Sequence, residues 1–254
     1  MARKRFLPPS PARYCQRTYR RSVAAGLLVP FQVTVRETDL AVLAPEDRSS
    51  ETRQLVLRYR AQLEGYIAGQ PGFLTSFSPL PPDRSAPPLV RAMLEAGAAA
   101  AVGPMAAVAG AIAEGVGRDL LAAGCQEVVI ENGGDIFLAR QAAVVAGLFA
   151  GRSPLSGRIG IRIPASAMPC GLCTSSATVG HSVSLGRADA ATVLAASAAL
   201  ADACATALGN LVKEAADITP ALERIRAIPG VTGALVVLGE HLGAAGAMEL
   251  VPLA

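Results

Sequence analysis

The sequence has few aromatic residues. It contains no tryptophan, and phenylalanine, tyrosine and tryptophan together make up 4% of its 254 residues. Proteins that bind single-stranded nucleic acids stack bases on aromatic side chains beside a basic groove. Neither such a stripe nor a nucleic-acid motif is present, so we predict no nucleic-acid partner. Hydrophobic residues still make up 52% of the chain. Much of this content is alanine, which together with glycine predicts close backbone packing rather than large aromatic anchors.

Disulfide-forming and zinc-binding residues are also scarce. The five cysteines are an odd number, and no export signal accompanies them, so we predict mostly reduced thiols without a disulfide framework. Cys170 and Cys173 have the spacing of a redox or metal half-site. No second cysteine pair follows, however, and only two histidines are present, so we do not predict a structural zinc site.

Long uninterrupted apolar runs are missing as well. Ala96–Ala113 carries no charge and approaches the length of a membrane span, but it is mainly alanine and glycine, with Gly103-Pro104 in its middle. We therefore predict two buried helices separated by a break. The apolar run Val23–Val33 is interrupted by proline and glutamine, and no small-residue cleavage site follows it. We expect a cytoplasmic protein that begins at Met1 and has no membrane partner.

The net charge of +3 is concentrated at the N-terminus, where seven basic residues lie between Arg3 and Arg21. We predict that residues 1–22 form a solvated basic arm, although such an arm can also contact phosphate or an acidic partner. Residues 23–254 contain no linker and no repeat, which predicts a single domain. Strands and helices are mixed without a strict βαβ period, which favours an α+β fold.

Composition and periodicity predict the individual elements. Strands are predicted over Val23–Val35, Leu40–Ala44, Glu127–Ile130, Ile136–Leu138, Val144–Phe149, Gly157–Ile163, Thr178–Leu185, Ala190–Ala195 and Val231–Leu238. Helices are predicted over Glu51–Ile67, Met105–Ala122, Ala198–Ala215 and Pro220–Ala227, and a further one begins soon after Pro88. Alanine-rich faces such as Ala198–Ala207 permit close packing within one chain or between copies, so a homo-oligomer stays open.

The most informative motif lies inside the long helix predicted over Ala198–Ala215. Asp202 and Thr206 are four residues apart and therefore share one face of that helix. Carboxylate and hydroxyl oxygens are hard ligands suited to Mg²⁺ or Ca²⁺, and the surrounding alanines leave the approach open. The alternative is an Asp202 bonded to the sheet and a Thr206 bonded back along its own helix.

A second motif joins two predicted strands through a turn. Its residues are Glu131, Asn132, Gly133, Gly134 and Asp135. Glycines in such a turn let backbone N–H groups approach a ligand closely, as in phosphate cradles. The alternative is an ordinary hairpin turn.

Cys173 and His181 flank a run of hydroxyl side chains formed by Thr174, Ser175 and Ser176. A thiolate at Cys173 could be activated by His181 if the fold brings the two together, which would make them a nucleophile and its base. The alternative is a pair of small cysteine residues near a turn. His241 has no chemically active neighbours and is predicted to lie on the surface.

Together these segments resemble the ApbE flavin transferases, both in their motifs and in the order of the motifs along the chain. Glu131–Ile136 resembles the Gly-Gly-Asp turn of that family. Thr174–Ser176 with His181 resembles its Thr-Ser-Gly…His segment, and Asp202–Thr206 resembles its Ala-Asp-Ala-x-Ala-Thr-Ala helix. The chain is more similar still to a branch related to ApbE that occurs mainly in anaerobic bacteria and archaea. That similarity spans about residue 15 to 215 and rests on Tyr19–Arg21, Glu37–Asp39, Val102–Gly110, Glu131–Ile136, Cys173–Gly186 and Asp202–Asn210.

The resemblance implies an ApbE-like α+β fold of duplicated strand-helix units, with mixed or antiparallel sheets, helices packed on them and the site between the halves. It implies that Asp202 and Thr206 hold a divalent metal, Mg²⁺ or Ca²⁺, which bridges the phosphates of a flavin dinucleotide. A backbone carbonyl near Ala106–Ala109 is the expected third ligand. The family then moves FMN onto a Thr or Ser of a target protein. Residues implied to bind the cofactor are Gly103, Met105, Glu131, Asn132, Gly133, Gly134, Asp135, Thr174, Ser175 and Ser176.

Two departures separate this chain from the transferases. Ala109 stands where the family has the Lys of a Ser-Gly-x-Ala-Lys-Gly stretch. Ser182-Val183-Ser184 follows His181 where the family has an Asp-Pro-x-Thr-Gly loop. Metal and anion binding are therefore better supported by the resemblance than FAD or FMN chemistry.

Three functions follow as hypotheses. The first is a metal-dependent enzyme, related to FAD:protein FMN transferases, that binds a phosphorylated small molecule. The second is a thiol-dependent role of Cys173 in sulfur assimilation, with which the related branch is loosely associated. The third is a non-catalytic binding protein on the same fold.

Overall fold

The computed structural model describes residues 28–177 and 185–253. Three predictions fall wholly or mostly outside these residues: the basic arm over 1–22, the strand over Thr178–Leu185, and the position of His181. The first part of the strand predicted over Val23–Val35 also lies outside.

Eight strands form the main sheet, and each described pair of neighbours in it is antiparallel. In sheet order they are β1 (Val29–Val35), β2 (Thr38–Ala44), β3 (Val128–Asn132), β4 (Asp135–Ala139), β7 (Cys170–Ser175), β8 (Ala190–Ala195), β9 (Val231–Leu238) and β10 (His241–Gly246). A smaller antiparallel sheet consists of β11 (Glu249–Pro252), β6 (Ile159–Ile163) and β5 (Val144–Gly147).

The helices of the described residues complete two similar units. They are α1 (Ser49–Gly69), α2 (Gly72–Thr75), α3 (Pro88–Ala100), α4 (Val108–Ala122), α5 (Ala198–Leu211) and α6 (Ile218–Arg226). The first unit runs from the β1–β2 pair through α1 to α4 to the β3–β4 pair. The second runs from β7–β8 through α5 and α6 to β9–β10, and the β4–β7 pair joins the two units. The predicted α+β fold is confirmed, and the sheets are antiparallel rather than mixed.

The two faces of the main sheet are covered differently. Successive side chains of a strand point to opposite faces. Ile130 and Phe137 accordingly pack in the cluster with the helices, whereas Val129 and Leu138 pack in the cluster with the small sheet. The main sheet is therefore the middle layer of three.

Helix α5 packs against α3 and α4 on one side and against the main sheet on the other. Its backbone contacts the backbones of α4 and of strand β7 closely. A Cβ added to Gly171 of β7 would lie 2.3 Å from the Cα atom of Ala198 in the first turn of α5. A Cβ added to Gly110 of α4 would lie 2.2 Å from the carbonyl oxygen of the same Ala198. The close backbone packing expected from the composition is realised at these contacts.

The charge-free segment Ala96–Ala113 forms parts of two helices with a break between them, as predicted. The axes of Pro88–Ala100 and Pro104–Ala122 differ by 106°, and only together do these two segments have the length and composition of a membrane span. Within residues 28–177 and 185–253, no single helix is long and apolar enough to cross a membrane.

Candidate functional site

A two-residue turn joins β3 and β4. Gly133 and Gly134 adopt φ values of +73° and +108°, a region in which an L side chain is strained, and both positions of such a hairpin turn require it. Asn132 and Asp135 pair across the hairpin. The N–H of Gly134 donates to Glu131 Oε1 at 2.7 Å. The two glycines thus form the hairpin turn, and the Gly134 N–H, a group that a phosphate cradle would use, donates to Glu131 instead.

The alternation along β3, β4 and β7 divides the predicted binding residues between the two faces of the sheet. Asn132 lies on the helix-covered face, where its Nδ2 donates to the carbonyl oxygen of Ala109 at 3.1 Å. Asp135 lies on that face too and is in register with Cys173.

Glu131 and Thr174 lie on the opposite face. The Thr174 hydroxyl shares a 2.9 Å hydrogen bond with the hydroxyl of Thr192, on the neighbouring strand β8. The turn and the Cys173 segment therefore come together on the helix-covered face through Asn132, Asp135 and Cys173, and the side chains of Glu131 and Thr174 lie on the other face.

Asp202 lies in the second turn of α5 and caps the N-terminus of α4. Its Oδ2 accepts the N–H of Gly110 at 2.9 Å, an interaction that a helix N-terminus favours for a negative charge. Glycine is needed at position 110 because a Cβ there would lie 2.9 Å from the Asp202 Cβ. Thr206 follows one turn later and is half-buried. One turn further, Asn210 Oδ1 accepts the N–H of Leu185 at 2.8 Å, so this face of α5 runs from the buried Asp202 outward.

Asp135 and Asp202 form a buried pair of acids, with 8% and 9% of their surfaces exposed. Burial raises the pKa of Asp202 to about 7. Burial also raises the pKa of Asp135 well above its usual range, and repulsion from Asp202 and Glu131 raises it further. Neither carboxylate has a lysine or arginine partner among the described residues. At neutral pH the pair therefore needs a proton or a cation to offset its charge.

Cys173 is fully buried beside this pair. Its thiol donates to the carbonyl oxygen of Ala198 at 3.4 Å. Burial raises its pKa well above that of a free thiol, and repulsion from Asp135 and Asp202 adds to the effect. A nucleophilic cysteine requires the opposite shift. The described surroundings of the thiol thus favour its protonated form. Activation by His181, which lies outside the described residues, stays a prediction.

The Cys-x-x-Cys spacing does not bring two thiols together either. Cys170 and Cys173 are three residues apart on strand β7 and therefore point to opposite faces. Cys170 packs in the cluster with the small sheet and Cys173 in the cluster with the helices. Burial raises the pKa of Cys170 to about 11. The Cys-x-x-Cys spacing therefore does not place these two thiols on the same side of the sheet, as a redox or metal half-site would require.

The remaining predicted ligand residues surround the approach to α4 and the end of β7. A Cβ added to Gly103 would lie 1.8 Å from the carbonyl oxygen of Ser76, so Gly103 lets two backbone segments cross before the short helix Pro104–Ala107. Met105, in that short helix, is half-buried and packs against the core. Ser175 and Ser176 are half-buried, and alternation along β7 puts Ser175 on the same face as Cys173.

Sequence reasoning missed Glu114. Its Oε2 accepts the hydroxyl of Ser197 at 2.8 Å and the N–H of Ala198 at 2.7 Å, so this residue of α4 caps the N-terminus of α5. A serine ahead of an alanine-rich helix is a start signal that the sequence displays. The acid that shares the cap is far away in the chain, and no local pattern indicates it.

The donors present suit a hard cation rather than zinc. The described residues contain no group of three or more His, Cys, Asp or Glu side chains that could hold a metal ion. Asp202 and Thr206 instead offer a carboxylate and a hydroxyl. The short helix Pro104–Ala107 packs against α5 and could add backbone carbonyl groups. Oxygen donors of these kinds are what Mg²⁺ and Ca²⁺ take in proteins, so the residues fit such an ion.

A family model described as AbpE bacteria matches residues 20–243. The chain belongs to this family. It is 43% identical over 224 residues to a UPF0280 protein of Methanococcus aeolicus, an alignment that covers 86% of this chain and 90% of the relative. It is 42% identical over 222 residues to a UPF0280 protein of Methanocaldococcus jannaschii, covering 85% and 89% of the two chains.

Solved structures of ApbE proteins have the same fold. The apo flavinyl transferase ApbE of Pseudomonas stutzeri superposes with a TM-score of 0.57 at 13% identity, covering 86% of this chain and 94% of that one. The ApbE protein of Thermotoga maritima gives a TM-score of 0.55 at 13% identity, covering 86% and 97%. The ApbE-like α+β fold that the motifs predicted is thus confirmed for this member of the AbpE bacteria family.

Proposed function

We propose that this protein binds a phosphorylated small molecule together with a divalent cation, where α4, α5 and the β3–β4 hairpin meet. Flavin nucleotides are the first candidates. The observation that carries the proposal is the meeting of two buried carboxylates, Asp135 and Asp202, at the N-terminus of α4 without a basic partner in the described part of the chain. Burying two like charges together is costly unless a proton or cation compensates them.

Asp202 and Thr206 are the residues that would hold the cation, with backbone carbonyls near Ala106–Ala109 as further oxygen donors. A bound divalent ion supplies positive charge that attracts and polarises phosphate oxygens. The N-terminus of α4 adds a partial positive charge on the same side. Asn132, which is bonded to the carbonyl oxygen of Ala109, fixes the backbone at this point.

The candidate reaction, with FAD as the donor, is transfer of its FMN moiety to a hydroxyl, because the solved neighbours are named as flavin transferases. The new phosphoester bond would form as the bond between the two phosphates breaks, with AMP as the leaving group and the hydroxyl proton passing to solvent. Ala109 stands where that family has a lysine, so binding and transfer are separate claims for this chain. Binding is the one that the geometry supports directly.

Isothermal titration with ADP, FMN and FAD, each with and without Mg²⁺, tests the proposal. We expect binding of at least one of them to depend on Mg²⁺, and we expect Asp202→Asn to weaken it at least about tenfold. Asp47→Asn is a matched control, because Asp47 is exposed and, within the described residues, its carboxylate accepts one hydrogen bond, from the backbone N–H of Ser49 at 2.8 Å. No heat with any of the three ligands, or equal binding by the Asp202 variant, would contradict the proposal.

A further inference from the structure

Helices α4 and α5 cap each other. Asp202 of α5 accepts the N–H of Gly110 in α4 at 2.9 Å. Glu114 of α4 accepts the N–H groups of Ala198 and Ala199 in α5 at 2.7 Å and 3.4 Å. Each helix thus supplies the carboxylate that satisfies the first turn of the other, where N–H groups have no partner within their own helix.

The two caps belong to one rigid contact. Gly110 and Glu114 are four residues apart on α4, and Ala198 and Asp202 are four apart on α5, so each pair lies on one helix face. Gly110 meets Ala198 and Asp202 at backbone distance, where a Cβ would have no room. A shift of α5 that lengthens one cap must therefore disturb the other.

Both carboxylate oxygens of Glu114 have partners. Its Oε2 also accepts the hydroxyl of Ser197 at 2.8 Å, and its Oε1 pairs with Arg118 at 2.7 Å. Only 12% of the Glu114 side chain is exposed, against 53% of the Arg118 side chain. The pair with Arg118 is thus open to solvent, whereas the bonds to α5 are shielded and carry more of the coupling.

We propose that Glu114 is the positioning residue of this site. By fixing the first turn of α5, it holds the carboxylate of Asp202 at the N-terminus of α4, where the cation of the proposed function would bind. Glu114 touches neither the cation nor the ligand, and it acts through Ala198 and the helix that follows. The inference rests on the proposed function for its consequence, but its structural core is the coupling of the two caps.

Amide hydrogen exchange of the metal-free protein tests the coupling itself. Glu114→Ala removes the cap of α5, and we expect the amide of Gly110, on the other helix, to exchange about fivefold faster or more. The amide of Val56 in α1 is the internal reference for global opening. Glu114→Gln keeps an oxygen that can accept the Ala198 N–H, so its effect should be smaller. If the Gly110 amide accelerates no more than that of Val56, Glu114 is merely structural and the proposal fails.

Mn²⁺ binding, measured by the electron paramagnetic resonance of the free ion in the presence of ADP, tests the consequence. We expect Glu114→Ala to raise the Kd for Mn²⁺ about tenfold or more, with partial recovery in Glu114→Gln. Glu64→Ala is the matched control, since it removes ion pairs with Arg36 and Arg60 on the surface. An unchanged Kd in Glu114→Ala overturns the positioning role. If the wild-type protein binds no Mn²⁺, the proposed function fails, whereas the exchange experiment still decides whether the caps are coupled.

Discussion

Replacing Asp202 by asparagine removes the charge of the buried acid with little change of shape. The asparagine oxygen can still accept the N–H of Gly110, so the cap of α4 is retained. In the metal-free protein, burial raises the pKa of Asp202 from an ordinary value of 3.8 to about 7. This difference means that ionisation of Asp202 lowers the free energy of unfolding by about 4 kcal/mol.

The sign follows from proton binding. Because the pKa is higher in the folded state, the folded protein binds more protons than the unfolded chain between about pH 4 and pH 7. The contribution of Asp202 to the stability of the folded protein is therefore fully present below about pH 4, and it is lost as the pH rises from there through about 7. The charge-free variant lacks this loss. We expect Asp202→Asn to be more stable than the wild type by up to about 4 kcal/mol at pH 8, and by between about 1 and 2 kcal/mol at pH 5.

Urea unfolding in the presence of a chelator, at pH 5 and pH 8, measures this difference. Addition of Mg²⁺ at pH 8 should raise the stability of the wild type and leave the variant unchanged, because an ion that binds only the folded state stabilises it. A variant that is less stable than the metal-free wild type at pH 8 would refute the reasoning. It would mean that the protein already compensates the charge of Asp202.

Three further outcomes are expected. Gly110→Ala should lower the free energy of unfolding by about 2 to 3 kcal/mol, because its Cβ would lie 2.2 Å from the Ala198 carbonyl oxygen. The control Gly65→Ala, whose Cβ meets nothing within 4 Å, should raise the free energy of unfolding by up to about 1 kcal/mol. Equal effects of the two substitutions in urea unfolding would contradict the packing of α4 on α5. Cys173 should resist iodoacetamide at pH 8 in the native protein and react in urea, since burial raises its pKa. Native labelling at the rate of a free thiol, mapped by mass spectrometry, would contradict this expectation and favour the thiol-based function. Thr206→Val should raise the Kd for Mg²⁺-bound ADP about tenfold with less than about 1 kcal/mol change in stability, and unchanged titration heats would remove Thr206 from the cation site.

Much of the fold could be predicted because local patterns agree with the final structure. Strand β9 has the predicted bounds Val231–Leu238, since β-branched residues dominate it. The Asn-Gly-Gly sequence predicted the hairpin between β3 and β4. Strand β7, Cys170–Ser175, was not predicted. It is largely buried on both faces and therefore lacks the alternation that marks a half-exposed strand.

The candidate site was predictable only in part, for two physical reasons. Asp202 and Thr206 share a helix face by spacing alone, and the resemblance placed Asp135 among the residues that bind the cofactor. Without strand β7, however, the alternation that sends Thr174 to the opposite face could not be seen. The role of Glu114 could not be predicted, because its partner Ala198 is 84 residues away in the sequence. Hydrogen bonds of this kind depend on tertiary packing. The domain division and the oligomeric state stay predictions.

The most direct test of the central claim is a crystal structure with Mn²⁺ and ADP, recorded with anomalous scattering from manganese. The account predicts an anomalous peak about 2 to 2.6 Å from an Asp202 carboxylate oxygen, with Thr206 on the same side and the phosphates of the nucleotide beyond the ion. Nucleotide density without a peak beside Asp202, or manganese bound only at another surface, would contradict it.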